Sequence, residues 1–261
     1  MSENDSLEAA LSAMEREADA TIRSLSAALK DAKKVKAAAA TGQMRDLRAA
    51  VDATIRSSES AADGAKRLQE SWSFDEATHF SSGAYAKEVL SLASNEQVSV
   101  FESDDRILCY PAIIQVSAGD YTVLIDKAKD RRIRPSVLVR LLKAIQSRPP
   151  KFKAEAFLES LAAGYDLVLA KSAGREESVV KLVDVYGVLT VLPGLARDYT
   201  KQEFARDLYL LDQSGVVTTK NGRTLSLPAS ALTRGSGVLT TVSRSGQEKV
   251  YAGIALTAGP R

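Results

Sequence analysis

The sequence predicts an α+β protein: an N-terminal helical hairpin or coiled coil, a small mixed segment of helix and strand, and a C-terminal domain of helices and β-hairpins. Three observations predict it. The first seventy-one residues contain no Phe, Tyr, Trp or Pro, whereas every aromatic residue and all seven prolines lie from Trp72 onward. Apolar residues recur at helical spacing through that first stretch, and β-type runs begin only after Asn95. Near the C-terminus, Asn221–Gly222 and Ser245–Gly246 each sit between β-prone runs, the pattern of tight hairpins. The corresponding segments are 1–72, 73–150 and 151–261.

The first segment is rich in Ala, Lys, Arg, Glu and Asp. Such a composition forms long helices but lacks the bulk for a core of its own. From Leu7, apolar or small residues fall at Leu11, Met14, Ala18, Ile22, Leu25, Leu29 and Ala32. These steps of four and three make a heptad seam with one four-residue insertion, which locally relaxes a supercoil. After Gly42 the pattern restarts at Met44, Leu47, Val51 and Ile55. The hexapeptide DATIRS occurs at Asp19–Ser24 and again at Asp52–Ser57, either an old duplication or a coincidence of low complexity. Two arrangements fit: a hairpin turning near Thr41–Gly42, or one long helix paired with another protein. Gly42 does not decide between them, since glycine inside a helix costs only about 1 kcal/mol. A seam this rich in Ala and Ser is thin, so a hairpin is expected to pack on something else, such as a second copy. Leu11, Met14, Ile22, Leu25, Leu47, Val51 and Ile55 are therefore candidates for self-association or partner binding.

In the second segment, residues 74–94 read as one helix packing through Phe80, Ala84, Leu90 and Leu92. Val98, Val100 and Ile107–Val116 then suggest strands, with the turn at Ser103–Asp105. Pro111 interrupts the second run, which predicts an edge strand or a bulge there. Ala118–Asp120 is a turn and Tyr121–Ile125 a third strand. A helix opens at Pro135, buries Val137, Leu138, Leu141, Leu142 and Ile145, and stops before Pro149–Pro150. Residues 127–153 carry ten Lys and Arg, against Asp126 and Asp130. This is the most basic stretch of the chain. It is a candidate phosphate-contacting surface, with a solvated, internally paired face as the competing reading.

In the third segment, Lys153–Leu169 reads as a helix and Val179–Leu192 as a central buried helix ended by Pro193–Gly194. Thr200-Lys-Gln-Glu203 has the spacing of a capping box. The helix it opens turns Phe204, Leu208 and Leu211 inward and stops at Ser214–Gly215. Val216–Thr219 and Arg223–Leu227 flank Asn221–Gly222 as a first hairpin. Val238–Ser243 and Lys249–Leu256 form a second.

This order resembles a winged helix-turn-helix domain of the broad MarR-like kind. The resemblance is carried by Phe204, Leu208, Leu211, Gly215, Val216 and Val217, with Asn221–Gly222 at the wing tip, and covers about the last hundred residues. The pattern is specific for a shape rather than a family, and the hairpin at 238–256 departs from its simplest form. The resemblance implies that Thr200–Leu211 is a recognition helix exposing Lys201, Gln202, Arg206 and, near its end, Gln213. The wing then presents Lys220 and Arg223. Arg and Gln read base edges, and Lys and Arg hold phosphates. Glu203, Asp207 and Asp212 on the same helix oppose such contacts.

A net charge of +2 does not by itself call for nucleic acid. One cysteine, Cys109, excludes an intrachain disulfide and a cysteine-based zinc site. One histidine, His79, excludes a His-rich metal site and a histidine triad beyond a chance one. No apolar run approaches the ~20 residues that span a bilayer. The polar start MSENDSLEAA does not read as a secretory signal, so a cytoplasmic location is expected. No phosphate-binding or dinucleotide-binding glycine motif occurs. Glu102, Asp104, Asp105 and Asp126 lack the lysine partner of a metal nuclease and read as turn-forming acids. No catalytic, cofactor-binding or metal-binding residue is expected.

The leading expectation is a non-enzymatic, double-stranded-DNA-binding protein with an oligomerising helical rod. Arg131, Arg132, Arg134, Lys201, Gln202, Arg206, Lys220 and Arg223 make its contacts. The alternative is an adaptor or scaffold subunit of a larger multiprotein machine, using the winged helix for protein contacts. A metal-dependent nuclease is the third.

Overall fold

The structure, a computed structural model, describes residues 6–104, 106–172, 177–228 and 237–258. It is a mixed α+β protein with a long N-terminal helical region followed by sheets and helices. Two compact units are present. The first runs to Glu88 and takes in Arg134–Ser136; the second holds Val89–Ile133 and the chain from Val137 onward. These limits differ from the expected boundaries at 72 and 150.

In the first unit, α1 (Leu7–Thr41) and α2 (Met44–Glu70) form an antiparallel hairpin. Ser6 caps α1 by accepting from the Ala9 amide at 3.2 Å. Gly42 takes the left-handed conformation at φ 70°, and the amides of Gly42 and Gln43 satisfy the carbonyls of Ala39 and Ala38. This αL stop ends the helix and turns the chain, which selects the hairpin over a continuous rod. The helices meet through small residues, with Thr21, Ala38, Ala50, Ala61 and Gly64 buried. A Cβ on Gly64 would lie 3.0 Å from Thr21 Oγ1, so glycine permits the close approach.

This is not the seam that the heptads predict. Ile22, Leu25, Leu29, Met44, Val51 and Ile55 are exposed, and Leu11, Met14 and Leu47 are half-buried. The small side chains one residue away allow a tighter interhelical contact than the bulky ones, and the hairpin closes on them.

The expected helix at 74–94 is two helices, α3 (Glu76–Ser81) and α4 (Ala84–Asn95), separated at Ser82–Gly83, where Gly83 has φ 75°. Phe80 and Tyr85 stack at 4.6 Å beside the buried His79. Glu88 on α4 accepts from Ser6 Oγ (2.6 Å), the Leu7 amide (2.9 Å) and the Glu8 amide (2.8 Å) at the start of α1. Glu8 in turn accepts from the amide and hydroxyl of Ser136 at 2.9 and 3.0 Å. These bonds between distant positions are why the unit extends past residue 72.

In the second unit, five antiparallel strands follow one another in sheet order: β1 (Phe101–Ser103), β2 (Arg106–Cys109), β3 (Ala112–Ser117), β4 (Thr122–Ile125) and β5 (Ala128–Asp130). Ile107–Val116 is thus two strands. Tyr110 and Pro111, joined by a cis peptide, form the turn between them, and neither strand is an edge. β5 was not expected. Asp126 and Lys127, both at positive φ (49° and 72°), make the two-residue turn that returns the chain onto β4. Helix α5 (Pro135–Ser147) follows.

Beyond it come α6 (Ala154–Ser172), β6 (Val180–Lys181), α7 (Leu182–Leu189), α8 (Leu195–Asp198) and α9 (Lys201–Ser214). The chain continues through β7 (Arg223–Ser226), β8 (Leu239–Val242), β9 (Glu248–Tyr251) and β10 (Gly253–Ala258). Leu158, Leu161, Tyr165, Leu182, Val185, Phe204, Leu208 and Ile254 form the centre of one core. The expected helix at 179–192 gives its first residues to β6, which pairs with β10. The capping box is present, Thr200 accepting from the Glu203 amide while Glu203 accepts from the Thr200 amide. Val217 and Thr218 meet Leu225 and Thr224 in a short hairpin, but the regular partner of β7 is β10. The run Lys249–Leu256 breaks at Ala252: β9 pairs with β8, while β10 crosses to a second sheet between β6 and β7.

Candidate interaction surfaces

The basic residues expected to hold nucleic acid are largely engaged within the protein. Arg132 grips Asp130 with Nε at 3.0 Å and Nη2 at 2.7 Å, and these bonds hold the Asp130 carboxyl down to about 2. Arg134 donates to Glu8 (2.8 Å), Glu15 (2.7 Å) and Ser12 (2.8 Å). Burial alone would raise the Glu8 carboxyl, but the bonds from Ser136 and Arg134 hold it below its ordinary value. Arg206 donates twice to the neighbouring Asp207, at 2.9 and 2.8 Å. Arg223 makes a two-pronged pair with Asp166 at 2.6 and 2.9 Å. Gln202 donates to the Pro111 carbonyl at 3.2 Å, and the Lys201 ammonium lies 6.0 Å from the Tyr186 ring centroid. Arg131 and Lys220 are exposed and have no ion pair among the described residues.

The acids of α9 fasten the helix to its surroundings. Tyr199 donates its hydroxyl to Asp207 at 2.9 Å and Tyr251 donates to Asp212 at 3.0 Å. Burial pushes the Asp207 carboxyl up, while Arg206 and then Tyr199 pull it down. Six of the fourteen α9 residues are buried.

A cavity of about 230 Å³ in the second unit is lined by Arg106, Ile113, Asp126, Lys201, Gln202, Leu239 and Glu248. Two of its charged groups are spent on one another, Arg106 and Glu248 pairing at 2.9 Å. Asp126 accepts from the Ile113 amide at 2.9 Å, and burial pushes its carboxyl up to about 6. Cys109 is buried in the sheet as expected, its thiol pushed up to about 12 by burial and then by Asp126, which leaves it unreactive. Among the described residues no group of three or more His, Cys, Asp or Glu could hold a metal ion. Asp105 lies outside the described residues.

The hairpin presents a different kind of surface. In α1 the seam passes through Thr21, Ser24 and Ala28, and Ile22, Leu25 and Leu29 each stand one residue later. In α2 it passes through Ala50 and Thr54, and Val51 and Ile55 again stand one residue later. One residue is a rotation of about 100° around a helix. The two helices run in opposite directions and face each other, so equal rotations past the seam carry both rows to the same side. Ile22 (59% exposed), Leu25, Leu29 (57%), Met44 (59%), Val51 and Ile55 therefore form one apolar face. The opposite side carries Lys34, Ala37, Asp46, Ala49 and Ala53 around a shallow groove. Periodicity found these residues; their exposure was not legible, because a stripe on a helix does not name its neighbour.

No protein-family model matches the chain, and no similar curated protein or solved structure is found. Among the described residues no helix is long and apolar enough to cross a membrane.

Proposed function

We propose that this protein is a non-catalytic assembly module, an adaptor or scaffold subunit that docks onto protein through the apolar face of its helical hairpin. The carrying observation is that six large aliphatic side chains lie on one side of a hairpin that closes on small ones. A contiguous apolar patch of more than a few hundred Å² is rare on a monomer's surface and marks an interaction site. The residues 151–261 are read as a winged-helix-like body whose α9 is held by core packing and by Tyr199 and Tyr251. Such a body suits protein contacts, since Arg206 and Arg223, its principal base- and phosphate-reading candidates, are already paired.

The test is the mass of the native particle containing the tagged chain in extracts of its source cells. A particle well above 28.0 kDa is expected, reduced by Ile22→Asp with Leu29→Asp and Ile55→Asp. Equal masses for the wild type and the triple variant would refute the reading.

Double-stranded DNA binding is the second reading. It is favoured by the ten basic residues of 127–153, of which Arg131, Arg148, Lys151 and Lys153 have no ion pair among the described residues. Fluorescence anisotropy on a random duplex should then show binding that falls steeply with salt. Arg131→Glu with Arg132→Glu should abolish it, and an unchanged affinity would remove the basic run as the site.

A further inference from the structure

We propose that the apolar face of the hairpin is covered by the same face of a second copy, turned end for end, to make an antiparallel four-helix bundle. The proposal rests on the docking role given above and names its occupant. Three features of the face select that occupant.

The first is area. Five of the six side chains, Ile22, Leu25, Leu29, Val51 and Ile55, each more than a third exposed, lie within the reversed overlap and leave on the order of 450 Å² of apolar surface. With the stems of the flanking charged residues this approaches the ~800 Å² per partner of a standard interface.

The second is charge. The turn end of the hairpin carries Lys30, Lys33, Lys34, Lys36, Arg45 and Arg48 against Asp31 and Asp46. A second copy laid on in the same direction would bring these two basic ends together. Reversal separates them. With Leu25 placed on Leu25 of the second copy, Ile22 faces its Leu29, and Asp19 faces its Lys33. Asp19 and Lys33 are exposed and lie on the stripe side, three residues before Ile22 and four after Leu29.

The third is shape. Thr21 lies against Gly64, so heights on α1 and α2 are related. The dyad near Leu25 therefore crosses α2 near Ser60. Reversal about that point sets Ile55 of one copy between Ala62 and Ala65 of the other. The bulky half of α2 meets its small half, a knob entering a hole.

The purified full chain provides the test. Sedimentation equilibrium at micromolar concentration should give a mass near twice 28.0 kDa. Ile22→Asp with Ile55→Asp should give the monomer at unchanged helical circular dichroism. In a Cys109→Ala background, Leu25→Cys should oxidise to a covalent dimer, because only the reversed arrangement puts residue 25 opposite itself. Asp19→Lys should weaken the dimer about tenfold, and Lys33→Asp in the same chain should restore it. A monomer overturns the proposal, as does a dimer that Leu25→Cys does not trap or that the charge exchange does not restore. A purified monomer whose particle in extracts still depends on the face would overturn this occupant and leave the docking role standing.

Discussion

Replacing Glu88 by Ala should unfasten the start of α1. Its carboxylate accepts three hydrogen bonds at that helix end, from Ser6 Oγ, the Leu7 amide and the Glu8 amide. Its side chain is only 4% exposed, so water does not replace what is lost without disrupting the packing. Each buried amide left without an acceptor costs about 1–3 kcal/mol. The favourable meeting of a carboxylate with a helix N-terminus, roughly 0.3–1 kcal/mol, is lost as well. The two amides and the lost helix-end charge together predict about 2–7 kcal/mol of local stability. Glu88→Gln should lose about half of that, since it keeps one acceptor but turns an amide donor toward donors. His79 Nε2, 3.1 Å from Glu88 but out of line for a hydrogen bond, offers no substitute. Amide hydrogen exchange at residues 7–11, with urea unfolding followed by circular dichroism, measures the loss. If Glu88→Ala changed protection there by less than ~1 kcal/mol, the view of Glu88 as the cap of α1 would be refuted.

Two further outcomes follow from the second unit. Asp126 has its carboxyl raised to about 6 from 3.8, so protonation favours the folded state. Its contribution to stability should therefore decline, by at most ~2 kcal/mol for a partly solvated group, as pH rises from about 4 to about 6, and level off above. The difference between wild type and Asp126→Asn in pH-dependent thermal melts isolates this contribution; a difference that does not fall across that window would contradict it. A Cβ at Gly164 would lie 2.9 Å from Val185 Cγ1 and 3.4 Å from Leu189. Gly164→Ala should thus cost about 1–2 kcal/mol despite its better helix propensity, with Val185→Ala relieving part of the loss in a double-mutant cycle.

Local chemistry made much of the fold legible. The Thr200–Glu203 box, the Ser214–Gly215 stop and the Ser245–Gly246 turn are signals whose partners lie within a few residues, and each was readable. What escaped depends on distant residues. The acids that hold Arg134 and Arg223 are Glu8, Glu15 and Asp166, 126, 119 and 57 positions away, so basic residues that looked available are paired. The Asp126–Lys127 turn has no glycine, and its strand β5 was hidden within a charge run. Ala252 carries no breaker at all; the strand divides there because its two halves have different partners. In the hairpin, apolar spacing identified the stripe but not which side of it α2 would take.

The capping of α1 has a consequence in time. Leu7 receives its acceptor from a residue 81 positions downstream, and Glu8 meets Ser136 across 128 positions. At a ribosome adding roughly 5–20 residues per second, α1 waits on the order of ten seconds after its own synthesis for its last fastening. Through that interval the nascent hairpin shows its aliphatic row with its own base unsecured, so the stretch between synthesis of the hairpin and synthesis of Ser136 is when premature contact between neighbouring chains competes most directly with completion of the fold.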